Sequence, residues 1–392
     1  MSEMVLIKGD LLWNGKDKNL IKGGSLLVKN GRIVAVGPFD GVIHSEYNAT
    51  TIDFLEFTII PGLIDMHTHL SMDATLENYL DHMRDPVAEL TLRATAMMRK
   101  DLHAGVTTCR CMGDRDLLDI ACRKAVNDGL VEGPHLLVAA KGIRAPHGHG
   151  FVGYPFQGKE AIKNAILENK EAGADLIKIY ITGTLKGNGD LPSFLTKDEI
   201  RTAIDESHKA GLPIAAHCVG GIGLDWAIEL GLNTIEHAYH ITDQQIEKLQ
   251  KSGTQLVLTP SPMLLDERIH HLPASLIQGH LNEKEEIARC MSALIKSGMP
   301  YAVGTDGLHA GLGRELQYCV AMGAKPFDAL QAATIHGANI CGLGDETGSL
   351  EPGKRADLLI IKGNPLKDVD AITNVIAVFK EGKLVYQQSQ NK

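Results

Sequence analysis

A (β/α)8 TIM barrel carrying a small β domain built from both chain termini is the α/β architecture expected for these 392 residues. Three observations lead there. Eight short apolar runs, many rich in β-branched residues, alternate with helical stretches through the middle of the chain. Four histidines, a lysine and an aspartate close or immediately follow five of those runs, and side chains at successive strand ends converge on one mouth of a barrel. Both ends of the chain show strand patterns that neither end can complete into a sheet alone.

In chain order, the candidate strands are Thr58–Ile64, Val106–Arg110, His135–Ala140, Leu176–Ile181, Pro213–Ala216, Thr234–Glu236, Gln255–Leu258 and Tyr301–Val303. Helices are expected between them over Pro86–His103, Leu117–Asp128, Lys159–Ala172, Lys197–Ala210 and Glu283–Ser297. The first places Val87, Leu90, Ala94, Met97 and Met98 near helical spacing, one stripe to bury. Gly105, Gly129, Gly173, Gly211 and Gly298 follow these helical patterns as left-handed caps would. No Gly-x-Gly-x-x-Gly follows the first strand, which argues against a dinucleotide fold. The barrel is assigned residues 59–344, and the small domain residues 1–58 with 345–392. Within the latter, Asn30-Gly31 in SLLVKNGRIVAVG is a hairpin signal. Thr259–Leu281, after the seventh strand, reads as a partly helical lid.

Bulk composition narrows the function classes. A chain that is 44% hydrophobic and 22% charged can bury a large core. A net charge of −9 argues against nucleic acid, whose phosphates need clustered Lys and Arg. No apolar run reaches the length of a membrane helix. The opening MSEMVLIKGDLLWNGKDKN has no basic stretch ahead of a long apolar core, and the seven cysteines are an odd number in mostly apolar settings. A cytoplasmic chain without disulfides is therefore expected. Cys109 and Cys111 form a Cys-x-Cys pair, but no second pair completes a four-ligand set.

The chemistry-bearing residues are His67 and His69 in PGLIDMHTHL, Lys178 in DLIKIYITG, His217 in PIAAHCVG, His237 in NTIEHAYH and Asp306 in AVGTDG. His67 and His69, two apart at a strand end, project from one face and offer two imidazoles to one ion. Lys178 stands in an apolar strand, where an ammonium is costly unless paired. It either reaches a carboxylate inside the barrel or is neutral and has taken up carbon dioxide. The resulting carbamate would be an anion able to bridge two divalent ions, a bridge that four histidines and one aspartate otherwise lack. His217, His237 and Asp306 would each pass singly as ordinary strand-end or turn residues.

With these motifs, and with ALQAATIHGANICGL and GSLEPGKRADLLIIKGNPL further on, the chain resembles the metal-dependent amidohydrolase superfamily nearly end to end. The resemblance implies a barrel with a β-sandwich made from both termini. It also implies that His67, His69 and Asp306 hold one metal, that His217 and His237 hold the other, and that carbamylated Lys178 bridges them. Two divalent ions, zinc first among the candidates, would supply a bridging hydroxide, with Asp306 as general base and then general acid. A homo-oligomer is also suggested. His147-Gly148-His149-Gly150 after the third strand and Ile-Glu-His after the sixth resemble the branch that cleaves dipeptides and N-acyl amino acids, described as Xaa-Pro, Xaa-Arg or Xaa-Lys dipeptidase-like. The expected substrate is thus a small molecule with an amide bond, its carboxylate and carbonyl held by His147, His149 and Tyr180.

Deaminases of heterocyclic amines within the superfamily commonly carry a Glu three residues after the fifth-strand histidine, and here that position is Gly220. Hydantoinase-like hydrolysis of cyclic amides is the other alternative, since that branch shares the lysine. Side-chain specificity would reside in Met72–Arg84, Gly183–Phe194, Met263–His280 and Leu308–Arg314, where Asp266 and Glu267 are the notable charges.

Overall fold

A computed structural model describes residues 4–42, 49–186, 189 and 191–389. Residues 187, 188 and 190 of the Gly183–Phe194 loop lie outside the described residues.

Eight parallel strands occupy the middle of the chain. Leu63–Thr68, Val106–Cys111 and His135–Leu137 form one sheet, in that order. Ile177–Tyr180, Ile214–Gly220, Thr234–His240, Gln255–Leu258 and Ala302–Val303 follow one another in a second. The short strands Ile143–Arg144 and Tyr154–Pro155 extend its other edge. Backbone hydrogen bonds join the two sheets at both seams. Asp175 N–H donates to Val138 O at 2.8 Å, and Asp306 N–H donates to His67 O at 2.7 Å. The strands are buried along almost their whole length, as parallel strands covered by helices must be.

Those helices include Val87–His103, Leu118–Asn127, Lys159–Glu171 and Lys197–Lys209, all near their expected limits. Thr196 and Glu199 cap the last reciprocally, each side chain bonding the other's backbone N–H. The five expected cap glycines have φ between 71° and 98°, which costs glycine little and other residues more. The fifth expected helix begins nine residues early, as Ala274–Lys296. Its first turns are mostly polar and lack the apolar stripe that marks its buried second half.

The chain ends meet in one eight-stranded sheet. Its order is Lys383–Gln387, Val375–Lys380, Leu358–Ile361, Ala49–Pro61, Met4–Leu12, Gly24–Lys29 and Arg32–Pro38, with Ile21–Lys22 beside Met4–Leu12. Asn30-Gly31 makes the hairpin, with φ of 51° and 78° and Lys29 opposite Arg32. Ile7, Leu26, Phe54, Leu358 and Phe379 gather in one apolar cluster that draws on both termini.

One boundary differs from the sequence reading. Thr58–Pro61 pairs with Leu358–Ile361 in the terminal sheet, and the first central strand begins only at Leu63. The apolar run Phe57–Ile64 has no polar break to separate two strands. The division falls at Pro61-Gly62, where a Cβ on Gly62 would sit 2.2 Å from Thr107 Oγ1. The third strand is likewise shorter than expected, His135–Leu137, because Val138 to Ala140 are bound by the Asp175 and Asp119 carboxylates.

Candidate metal centre

The C-terminal ends of the parallel strands open into one cavity of about 270 Å³, lined by His67, His69, Lys178, His217, His237 and Asp306. All six expected ligands therefore converge. Neighbouring imidazoles stand ring to ring, with centroids 4.6 Å apart for His67 and His237 and 4.5 Å for His217 and His237. The ligand atoms of His67, His237 and Asp306 all lie within 4.8 Å of one another. This grouping draws one residue from the pair expected at the second metal into the neighbourhood of the first.

The local chain is bent to achieve this. His237 has φ of 78° and Asp306 of 49°, both in the left-handed region that side chains rarely enter. Such conformations cost about 1–3 kcal/mol each and persist where the surroundings impose them. Gly304 lets the Asp306 turn pass over the first strand, since a Cβ there would lie 2.4 Å from His67 N.

Hydrogen bonds fix which imidazole nitrogen faces the cavity. His69 Nδ1–H donates to Gly113 O at 2.7 Å, leaving Nε2 as a lone-pair donor. His67 Nδ1 meets Glu236 Oε2 at 2.8 Å, and its Nε2 lies 3.4 Å from Asp306 Oδ1. His237 Nδ1 bonds Thr259 Oγ1 at 2.7 Å, and His217 Nε2–H donates to Gly183 O at 3.3 Å. Such outer partners orient metal-binding imidazoles and raise their basicity.

Burial sets the charge states. It pushes His69 down to about 3, and His217 and His237 well below their ordinary value, so these rings are neutral as ligation requires. Burial disfavours the Asp306 carboxylate, but the hydrogen bond with His67 is the main opposing cause, and the carboxyl is held well below the usual range. Lys178 is fully buried, and its Nζ has no hydrogen-bond partner. Burial lowers its pKa to about 8, against the pull of Glu236 and Asp306.

The donor set fits divalent metal on these grounds: neutral imidazoles, an ionised carboxylate and a buried amine with an orphaned nitrogen, all on one cavity.

Three functional side chains escape the sequence reading. Glu236, fully buried, bonds His67 on one side and Arg110 on the other, with Arg110 Nη2 to Glu236 Oε1 at 2.7 Å. Both are charged residues inside apolar strand runs, the same signal that marks Lys178. Thr259 orients His237 from just beyond the seventh strand, and nothing in its sequence context announces that.

Of the expected substrate contacts, Tyr180 and His149 line the cavity, with His149 4.3 Å from His217 between ring centroids. Burial holds the Tyr180 phenol protonated, and its Oη has no partner. His147 is exposed and is not among the lining residues. Lys178 donates to no carboxylate, so the pairing alternative for that residue finds no partner among the described residues.

Residues 58–385 match the model of the amidohydrolase family. The chain belongs to that family. Among the amidohydrolase's relatives, an ochratoxinase of Aspergillus niger is 26% identical over 430 residues, covering 98% of this chain and 87% of its own. An imidazolonepropionase of Symbiobacterium thermophilum is 27% identical over 388 residues, 88% of this chain and 85% of that one. A solved Xaa-Pro dipeptidase with methionine bound in its active site superposes with a TM-score of 0.86 at 27% identity, covering 98% of this chain and all of that one. The protein is thus a hydrolase enzyme. Among the described residues no helix is long and apolar enough to cross a membrane. All seven cysteines are free.

Proposed function

We propose that this amidohydrolase is a binuclear metal enzyme that cleaves the amide bond of dipeptides or N-acyl amino acids. The observation that carries the reading is the placement of Lys178. Its unpartnered Nζ lies on a cavity shared with four histidines and Asp306, where a carbamate would complete a two-metal ligand set. His67, His69 and Asp306 would hold one ion, His217 and His237 the other, and Lys178 would bridge them. Zinc suits these donors.

When bound, such a pair supplies an acidified water and polarises the scissile carbonyl. The chain's own groups do the rest. The Asp306 carboxylate, ionised and partly accessible, takes a proton from the attacking water and returns it to the departing nitrogen. Tyr180 Oη–H and His149 face the same cavity and hold the substrate's polar groups. The segment Ser261–His271 and the start of the Ala274–Lys296 helix cover that cavity with Pro262, Met263 and Leu276, which limits water around the reacting bond.

The architectural reading goes with it. The eight parallel strands close as a (β/α)8 barrel across the Asp175–Val138 and Asp306–His67 seams. The terminal sheet wraps its apolar cluster as a β-sandwich, the domain limits being close to 1–58 with 345–392 and 59–344.

A panel of Xaa-Pro and other dipeptides, N-acyl amino acids, cyclic amides and heterocyclic amines tests the reading, with bound metal counted by mass spectrometry. Release of free amino acid from protein holding two ions per chain is the expected result. Ammonia from a heterocyclic amine, with dipeptides untouched by metal-replete protein, would refute it. Likeness to an imidazolonepropionase favours hydrolysis of a cyclic amide as the second reading, and the same panel separates the two.

A further inference from the structure

Arg268 has no part in the chemistry above, yet its position is costly. It lies in the short 3-10 segment Asp266–His271, is 8% exposed and lines the metal-centre cavity. One terminal nitrogen donates to Pro262 O and the other to Tyr79 Oη, the latter at 2.6 Å, while Nε has no partner. Among the described residues no Asp or Glu forms an ion pair with it. A guanidinium cannot shed its proton to escape burial. The Asp306 charge favours it without reaching ion-pair distance, and its direct partners are neutral, so an anion arriving beside it would be strongly bound.

Its sequence neighbours sharpen the point. Asp266 and Glu267 are exposed, Asp266 is paired with Lys284, and neither lines the cavity. Of three consecutive charged residues the fold buries the cation and leaves the two anions outside. The cavity that Arg268 lines has a largely apolar wall in Met72, Leu80, Met83, Leu272 and Leu276, with Tyr79 and His280 as polar members.

We propose that Arg268 binds the free carboxylate of the substrate, making this site selective for dipeptides and N-acyl amino acids that end in a carboxylate and carry an apolar side chain. The inference rests on the amide-hydrolysis reading and narrows it. Two anchored nitrogens fix the plane of the guanidinium and leave its Nε edge unsatisfied, a geometry suited to a carboxylate. The apolar wall disfavours the basic side chains that Asp266 and Glu267 would have suggested.

Equilibrium binding of 3-phenylpropanoate and 3-phenylpropanol to the metal-loaded enzyme tests this without turnover. Wild type should prefer the carboxylate by about tenfold or more. Arg268→Met should erase that preference while changing alcohol binding by no more than about twofold. Tyr79→Phe, which keeps the cation but removes one of its two anchors, should reduce the preference without erasing it. A wild type without preference, or an Arg268→Met protein that retains it, overturns the proposal. Should Arg268→Met not fold, Arg268→Lys decides. A preference reduced severalfold supports the fork geometry, and one as large as wild type's refutes it. Neither probe has an amide bond, so an enzyme that hydrolyses no dipeptide yet loses its preference on Arg268→Met forfeits only the amide reading.

Discussion

The two ends of the same parallel strands are built on opposite principles. At the N-terminal ends a cavity of about 590 Å³ is bordered by Arg110, Asp175 and Asn233, and each of these satisfies its neighbours. Arg110 donates to Met66 O, Thr234 Oγ1 and Glu236 Oε1. The Asp175 carboxylate accepts from Val138 N–H and from Arg123, and Asn233 Oδ1 accepts from Ile214 N–H. At the C-terminal ends a smaller cavity collects Lys178 Nζ, Tyr180 Oη, Arg268 Nε and His280 Nε2, all buried and unpartnered. It also carries two residues in left-handed backbone. Volume alone would choose the wrong end. Unmet hydrogen-bonding capacity favours the other end, where four such groups gather against Tyr301 Oη alone on the larger cavity among the described residues, because such costs concentrate where a ligand can offset them.

Lys178→Met gives the sharpest break in that comparison. Loss of the proposed bridge should lower kcat/KM by on the order of a thousandfold or more, since metal-supplied stabilisation of several kcal/mol is at stake. Bound metal should fall below two ions per chain by mass spectrometry. In chelator-treated protein, however, the same change removes an unpaired buried amine and should raise Tm by calorimetry. A drop in metal-free Tm would mean that Lys178 has a structural partner after all. Asp306→Asn comes next. It keeps the shape and removes the proposed proton acceptor, so kcat should fall by about 10²–10⁴ with a much smaller change in KM, read by steady-state kinetics.

Glu236 connects the two ends, and Glu236→Gln tests whether the lower network serves the upper site. Glu236 lies between Arg110 and His67, held as a carboxylate against burial by Arg110 first and by the His67 hydrogen bond. The amide would leave Arg110 with an uncompensated charge, a loss of about 3–5 kcal/mol for a broken buried pair, measurable by urea titration. Metal affinity should weaken by about 10–100-fold because His67 loses its orienting acceptor. Lower stability with unchanged metal affinity would make the lower network purely structural.

How far the sequence reaches follows from the same contrast. The candidate metal ligands are legible because a charged or imidazole side chain at the end of a β-branched run violates the pattern around it, as Lys178 does in IKIY. Glu236 and Arg110 violate it equally and were open to the same logic. Strand limits were less legible. Ile59 and Ile60 belong to the terminal sheet and Leu63 and Ile64 to the central one, yet the apolar run through Pro61-Gly62 gives no periodic break. Arg268 was hidden for a different reason. In DERIHH its charge looks solvated, and only the three-dimensional path of the lid turns it inward while Asp266 and Glu267 stay outside.

His147 and His149 provide the finest test, since one short motif puts two like residues in unlike places. The motif alone assigns both the same expected role. In the structure His149 is in the cavity beside His217, where burial lowers its pKa to about 4, while His147 is exposed two residues away. Exposed side chains outside such features change stability by about 0.5 kcal/mol or less when replaced. His147→Ala should therefore alter kcat/KM by less than about threefold and leave the metal content intact. His149→Ala removes a half-buried ring that lines the cavity and should cost about tenfold or more in kcat/KM. Metal content at His149→Ala separates two roles: retained metal with raised KM marks a substrate contact, and lost metal would make His149 a seventh ligand. Equal effects from the two alanines would mean that His147 turns inward once substrate is bound, and that the Gly148 and Gly150 flanks move with it.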